Sequence, residues 1–157
     1  GQRLPIQADS VDTVLLLDVL EHLPRPEECI AEIGRVLQPE GRLVLQVPFL
    51  YPLHDAPYDF HRWTIHGLRA LAGRYGFSIE SETVFGHPAE SAALLTNLAL
   101  SKTVLNWFRS KNPLVIFAPL LLLATPGINL RGWLLAHVSD GETFMPHSYR
   151  MVWRKLK

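Results

Sequence analysis

The sequence predicts an α/β chain built on a strand–helix–strand unit, and three stretches carry that prediction. Thr13 to Leu17 is an apolar run that stops at an acid, Asp18. Pro26 to Leu37 repeats Ile30, Ile33, Val36 and Leu37 at helical spacing. Arg42 to Val47, RLVLQV, is a second strand-like run closed by Pro48. A short continuous apolar run is how a buried parallel strand reads. Ligands of open α/β sheets bind just beyond the strands' carboxyl ends, which puts Asp18 and the residues after it where chemistry is expected.

Leu4 to Asp12, LPIQADSVD, reads as a loop punctuated by Pro5 and the Asp9-Ser10 pair. The first helix opens with proline and two acids, Glu27 and Glu28, which suit the positive end of a helix dipole. Pro39-Glu40-Gly41 is expected to stop it. Phe49 to Trp63, FLYPLHDAPYDFHRW, is a long aromatic and proline-rich loop that follows a strand's carboxyl end. It is expected to overhang the same pocket as Asp18. Thr64 caps a helix to Tyr75, with Leu68, Leu71 and Ala72 inward and Gly76 as its stop. Phe77 to Phe85 alternates as a half-buried strand does. Pro88 to Phe108 is helical and apolar, and Asn112 to Leu130 runs without a charge. Pro119, Pro126 and Gly127 are expected to break that run. Ser148 to Arg154 alternates as a last strand. The expected division is 1–86 and 144–157 as sheet core, with 87–143 as an apolar helical insertion.

The 157 residues suffice for one domain with a core of its own. Fifteen basic and fifteen acidic residues give no net charge, so no bulk basic field speaks for nucleic-acid binding. The single cysteine, Cys29, excludes an internal disulfide framework and a cysteine-based zinc cluster, and fits a reducing compartment. The chain opens at Gly1 in mid-pattern, without methionine or signal peptide, and is expected to be a fragment whose N-terminal part is missing.

The order and spacing of four motifs now matter: LP-x-x-x-D-S-x-D, the strand ending in D-V-L-E-H-L, the helix ending in R-V-L-x-P-x-G, and the strand closing in V-P. In this order the stretch from Leu4 to about Phe85, with the last strand, resembles the second half of a class I S-adenosylmethionine-dependent methyltransferase of the type 11 kind. The resemblance implies a partial Rossmann-like, doubly wound sheet, mostly parallel, whose last strand runs antiparallel. It implies S-adenosylmethionine as cofactor. Gly1 and Gln2 match the loop near the adenine. Asp18 and Val19 match positions bordering the methionine end, and His22 with Glu21 would orient the loop beneath the cofactor. The family's glycine-rich loop has no counterpart in this sequence, and its ribose-binding acid cannot be assigned. The FLYPLHDAPYDFHRWT stretch resembles a subgroup of bacterial methyltransferases associated with cell-envelope metabolites, which suggests a glycan or lipid-linked acceptor.

His54, Asp55, Asp59 and His61 are the catalytic candidates, each a group able to take a proton from an acceptor hydroxyl, with His54 leading. The bland alternative pairs Asp59 with Arg62 and packs Tyr58, Phe60 and Trp63 as a lid. Asp18, Glu21 and His22 have a metal-like spacing, since positions i, i+3 and i+4 share a helical face. His54 or His61 would complete that set. The same pattern resembles metal-binding arrangements of small-RNA 2′-O-methyltransferases and ubiquinone-pathway O-methyltransferases. The preferred expectation here is no metal.

The apolar stretch has three readings: a spanning helix, an interfacial membrane contact through 112–135 flanked by Lys111, Arg131, Trp107 and Trp133, or a helical cover that packs on the sheet or makes a homodimer contact. The expected function is methyl transfer to an oxygen or nitrogen of a small-molecule, glycan or lipid-linked acceptor, in the cytoplasm or at the inner face of the membrane. The rival is a non-catalytic methyltransferase-like module that binds a membrane or protein partner.

Overall fold

The structure is a computed structural model, and it describes residues 3–140 and 143–157. The chain forms two compact units, Gly1–Phe85 with His147–Lys157 and Gly86–Pro146.

In the first unit, β1 (Val11–Leu17), α1 (Pro26–Val36) and β2 (Leu37–Pro48) form the strand–helix–strand unit, followed by α2 (Ile65–Arg74), β3 (Phe77–Phe85) and β4 (Ser148–Lys155). The sheet order is β1-β2-β4-β3. β1 runs parallel to β2, with Thr13 opposite Arg42 and Leu17 opposite Gln46. β4 lies antiparallel between β2 and β3, placing Trp153 between Leu43 and Ile79. Among the described residues the sheet is therefore mixed, and its one parallel pair is β1–β2.

The core follows from alternation. Leu43, Leu45 and Val47 on β2 and Tyr149, Met151 and Trp153 on β4 point to one face. There they meet Ile30 and Ile33 of α1 and Leu68, Leu71 and Ala72 of α2. α2 starts as expected, its first turn held by the Thr64 hydroxyl accepting from the Gly67 amide at 3.0 Å.

Three local expectations change. β2 starts at Leu37 rather than Arg42. The Pro39-Glu40-Gly41 stretch is a bulge inside it, because Val11 pairs with Leu37 and Thr13 already with Arg42. Glu40 there has φ 67°. A Cβ on Gly41 would lie 2.8 Å from the Gln38 carbonyl, so this close approach requires glycine. Next, β1 is not buried on both faces: Leu16 is covered, but Leu15 is 65% and Leu17 46% exposed. The core helices cover one face of it, and β1 is an edge strand.

The third change lies in the second unit, a pair of helices, α3 (Pro88–Arg109) and α4 (Ala118–Val138), joined through a 3₁₀ turn at Pro113–Phe117. α4 does not break at its prolines. Pro119 sits in the first turn, where no intrahelical amide bond is lost. Pro126 lies inside, where it removes one ladder bond, and the helix continues on both sides of it. The two helices approach closely at Gly132, where a Cβ would stand 2.9 Å from that of Ala93. Asn97 donates to Asn129 at 2.6 Å across the same interface. α3 is capped by His87, whose Nδ1 accepts from the Ala89 amide while Glu90 reaches back to the His87 amide.

Candidate functional site

The site grows from the turn after β1. Asp18 takes a left-handed φ of 53°, which swings the chain away from the sheet. Its amide still donates to the Gln46 carbonyl of β2 at 2.9 Å. Gln46 also donates from Nε2 to the Asp18 carboxylate at 3.1 Å. Gln46 in turn accepts on Oε1 from Arg150 of β4 at 2.8 and 3.1 Å, and the Arg150 guanidinium lies 5.0 Å from the Phe85 ring centre. A polar relay from β4 through β2 thus holds Asp18 at the strand's carboxyl end. Sequence reasoning missed Gln46 and Arg150. The available signal was a polar Gln46 inside the apolar run RLVLQV.

Leu20–His22 then makes one 3₁₀ turn. The Glu21 carbonyl accepts from the amides of Phe60, at 2.9 Å, and His61, at 3.2 Å. The aromatic loop is thereby fastened onto this turn, as the strand-end position of both predicted. The Glu21 side chain is fully buried, and its carboxylate accepts no hydrogen bond from another residue. Burial pushes its pKa up, opposed by its own backbone amide and by His22 and His54, while the charge of Asp18 adds to the rise.

His22 and His54 approach each other edge to face, ring centres 4.8 Å apart. The Nδ1 of His22 lies 2.8 Å from the Tyr58 carbonyl. The Nδ1 of His54 lies 3.2 Å from both the Pro52 carbonyl and Asp59 Oδ2. Those partners only accept, so each Nδ1 carries the proton and each Nε2 of a neutral ring bears a lone pair. Both Nε2 atoms face Glu21 Oε1, at 3.7 Å for His22 and 3.9 Å for His54.

The remaining candidates divide sharply. Asp59 receives Arg62 through two nitrogens, at 2.5 and 2.7 Å, and the His54 amide at 3.0 Å. The Arg62 guanidinium holds its carboxyl well below the usual carboxylate range. Asp59 therefore orients His54 and is no free base. Asp55 is exposed, with φ 50°, in a turn where its carbonyl accepts from the Tyr58 amide at 2.9 Å. The His61 ring stands 5.6 Å from that of Trp63, and its Nε2 is buried without a partner. Trp63 does pack on the core, whereas Tyr58 and Phe60 are exposed rather than forming a packed lid. Of the residues named for the alternative metal set, Glu21, His22 and His54 lie together among the described residues, without Asp18. Asp18 turns instead to Gln46, because its left-handed backbone precedes the helical turn and takes it off the shared face. Val19 is exposed beside it. Gly1 and Gln2 lie outside the described residues.

On the other side of the turn an open cavity of about 400 Å³ is lined by Leu4, Leu23, Pro24, Cys29, Glu32 and Ile33. The loop bordering it is pinned to α1. The Leu4 amide donates to Glu32 at 2.8 Å, and Arg35 donates to the Ile6 carbonyl at 2.9 Å. Cys29 is half-buried, and burial pushes its thiol pKa up, which fits an inert packing role.

An acid at the carboxyl end of β1, with a loop strapped over the following turn, is the arrangement that the class I methyltransferase resemblance implies. Residues 1–45 match the model of the methyltransferase domain family. The chain is 35% identical over 91 residues to an uncharacterized methyltransferase of Mycobacterium ulcerans, a match covering 58% of this chain and 33% of that protein. A Mycobacterium tuberculosis methyltransferase matches at 34% over the same length. The match spans about one third of the length of these curated relatives. Among solved structures, a Bacillus halodurans protein provisionally named a methyltransferase superposes with TM-score 0.54 at 19% identity, covering 100% of this chain and 70% of that one. The [4+2]-cyclase SpnF superposes with TM-score 0.53 at 16% identity, over 98% of this chain and 52% of its own. A Haemonchus contortus phosphoethanolamine N-methyltransferase in complex with S-adenosyl-L-methionine reaches 0.50 at 11%, over 97% and 35%. These likenesses establish the fold. That one such neighbour is named a cyclase is a reminder that reaction is set by the site and not by the fold.

Proposed function

We propose that this chain serves S-adenosylmethionine-dependent methyl transfer to an oxygen or nitrogen of a small-molecule, glycan or lipid-linked acceptor. The observation that carries the reading is the Asp18–Val19 turn, braced by Gln46 at the carboxyl end of β1 with the 49–63 loop fastened beside it. The residues present fit one end of the cofactor. Asp18 and Val19 would border its methionine moiety, and Gly1 and Gln2 are the residues proposed to approach its adenine. No glycine-rich loop occurs in this sequence to complete the cradle. When bound, S-adenosylmethionine supplies an electrophilic methyl group on a sulfonium.

The chain's own part is positioning and proton handling. Methyl transfer is an in-line displacement, so orienting the acceptor accounts for much of the rate. Of the four catalytic candidates, His54 alone has both an orienting carboxylate, Asp59, and a lone pair on its other nitrogen. His54 Nε2 takes the acceptor's proton as the methyl group arrives, and Asp59 stabilises the resulting imidazolium.

The apolar segment 112–135 makes a peripheral membrane contact at the cytoplasmic face, which suits a lipid-linked acceptor. Supporting this, Pro113–Val138 is long and apolar enough to cross a membrane by length and composition, and 6% of its most apolar window is buried within the structure. Trp133 and Arg131 lie on α4, as interfacial anchors do. The exposed apolar surface of α4 also favours a second reading, a non-catalytic module that uses this surface for a partner.

Calorimetric titration of S-adenosylmethionine and S-adenosylhomocysteine into this chain, and into the full-length product of its reading frame, tests the cofactor reading. Binding to the full-length product, weakened at least about tenfold by Asp18→Ala, is expected; a tenfold loss corresponds to about 1.4 kcal/mol. No binding by either protein, both folded, overturns it in favour of the module. Co-sedimentation with vesicles containing anionic lipid tests the membrane contact, and a soluble dimer that ignores vesicles overturns it.

A further inference from the structure

Asp18 is gripped twice by one residue of the neighbouring strand. Its amide donates to the Gln46 carbonyl at 2.9 Å, and its Oδ2 accepts from Gln46 Nε2 at 3.1 Å. The register brings this about: Leu17, the last residue of β1, stands opposite Gln46, and Gln46 stands opposite Arg150. Gln46 and Arg150 alternate with the buried Leu45, Val47, Tyr149 and Met151, so they share the other face of the sheet. A guanidinium only donates. Two of its nitrogens, Nε at 3.1 Å and Nη2 at 2.8 Å, point at Gln46 Oε1. The amide therefore has one permitted orientation, with its oxygen toward Arg150 and its NH2 toward Asp18. Its dipole lies between a cation and an anion, and each bond polarises the other. The Phe85 ring, 5.0 Å from the guanidinium carbon, steadies Arg150 from behind.

We propose that Gln46 and Arg150 are positioning residues for the cofactor: they fix the side-chain rotamer of Asp18, holding Oδ2 and leaving Oδ1 for the ligand. The proposal rests on the methyl-transfer reading, in which Asp18 borders the methionine end of S-adenosylmethionine. The two halves of the Gln46 grip do different work. Asp18 has a left-handed φ of 53°, a conformation that its surroundings must impose, and the bond from its amide to the Gln46 carbonyl does so. The bond from the Gln46 side chain acts on the carboxylate instead. A carboxylate held in one staggered rotamer is ordered before the ligand arrives, so binding does not have to order it. Arg150 acts one step further back, because it decides which end of the amide Asp18 meets. The halves are separable, since replacing the Gln46 side chain leaves its carbonyl in the strand.

The test is calorimetric titration of S-adenosylmethionine into the full-length product of the reading frame, unaltered and substituted. Gln46→Leu should weaken binding about three- to tenfold, the lower figure being the release of one rotamer among three. Gln46→Glu keeps the shape but sets a carboxylate against Asp18, and should cost more than Gln46→Leu. Arg150→Met lets the amide turn over between two orientations and should cost about twofold. Arg42→Met breaks the pair with Glu80 on the same sheet and should leave affinity unchanged. Coupling separates positioning from general support of the fold: in an Asp18→Ala background, Gln46→Leu should cost less than about twofold. If the unaltered full-length protein is folded and binds no cofactor, the methyl-transfer reading falls and the proposal with it. If it binds, and Gln46→Glu binds as tightly, the proposal alone is overturned. A Gln46→Leu loss of full size in the Asp18→Ala background does the same. Should a Gln46 variant fail to fold, Arg150→Met decides at an exposed side chain, where unchanged affinity overturns the proposal.

Discussion

In the sheet unit, Leu43, Leu45, Val47, Met151 and Trp153 have no exposed surface, while in the helical unit Ile116, Leu120, Leu123 and Val138 are mostly exposed. The buried apolar residues of α3 and α4 are small or few: Ala93, Val104 and Ala118. Burial of aliphatic surface in water is what organises the first unit. The second holds together through a close crossing at Gly132 and one amide pair, Asn97–Asn129, and leaves its leucines outside. Small residues at the crossing and a polar pair between apolar helices are the devices of helices packing in a non-aqueous setting. The difference teaches that burial of large apolar side chains accounts for the first unit and not for the second.

Substitutions that break or sharpen this contrast can be ranked. The largest effect should come from Trp153→Ala, which empties the centre of the sheet core. A loss of about 3–5 kcal/mol in denaturant unfolding is expected. Its counterpart Leu123→Ala, at a side chain 75% exposed, should change stability in aqueous buffer by no more than about 0.5 kcal/mol. An equal cost would mean that α4 buries its leucines in solution. Next, Gly132→Leu forces a side chain into the contact with Ala93 and should cost about 1–3 kcal/mol, seen as lost helical protection in hydrogen exchange. Thr64→Ala removes the cap of α2 and should cost about 1 kcal/mol.

The smallest effect concerns pH. The Arg35 guanidinium, with the Leu4 amide, lowers the Glu32 pKa to about 2. A carboxylate depressed in the fold contributes stability that is complete above its unfolded pKa, near about 4.3, and is lost as pH falls through 2. Glu32→Gln should therefore lower the thermal midpoint at pH 6, with a difference that shrinks toward pH 2. A difference independent of pH would assign the effect to packing.

Much of the sheet unit was legible because its signals are local. Ile30, Ile33 and Val36 repeat at helical spacing, Thr64 and Gly76 bound a helix, and Tyr149, Met151 and Trp153 alternate. What was not legible depends on partners distant in sequence or on backbone geometry. Pro39-Glu40-Gly41 has turn composition, but pairing on either side makes it a bulge. Pro126 argues for a break by its chemistry, yet one lost ladder bond does not end a helix that is otherwise apolar and continuous. At the site, the spacing of Asp18, Glu21 and His22 suggested one face. The positive φ of Asp18 removes it, and His54 arrives from a loop whose path follows from amide bonds to the Glu21 carbonyl. Gln46 and Arg150 stand on different strands, so their joint hold on Asp18 has no sequence signature.

The two borders of the sheet carry a further consequence. β3 ends the sheet with Ser78, Glu80 and Glu82 along its length, and Arg42 and Arg69 neutralise those acids. β1 ends it with Thr13-Val14-Leu15-Leu16-Leu17, a stretch without charge or proline, between Asp12 and Asp18. Such a segment is a ready template for one more strand, whether from elsewhere in the same protein or from another molecule.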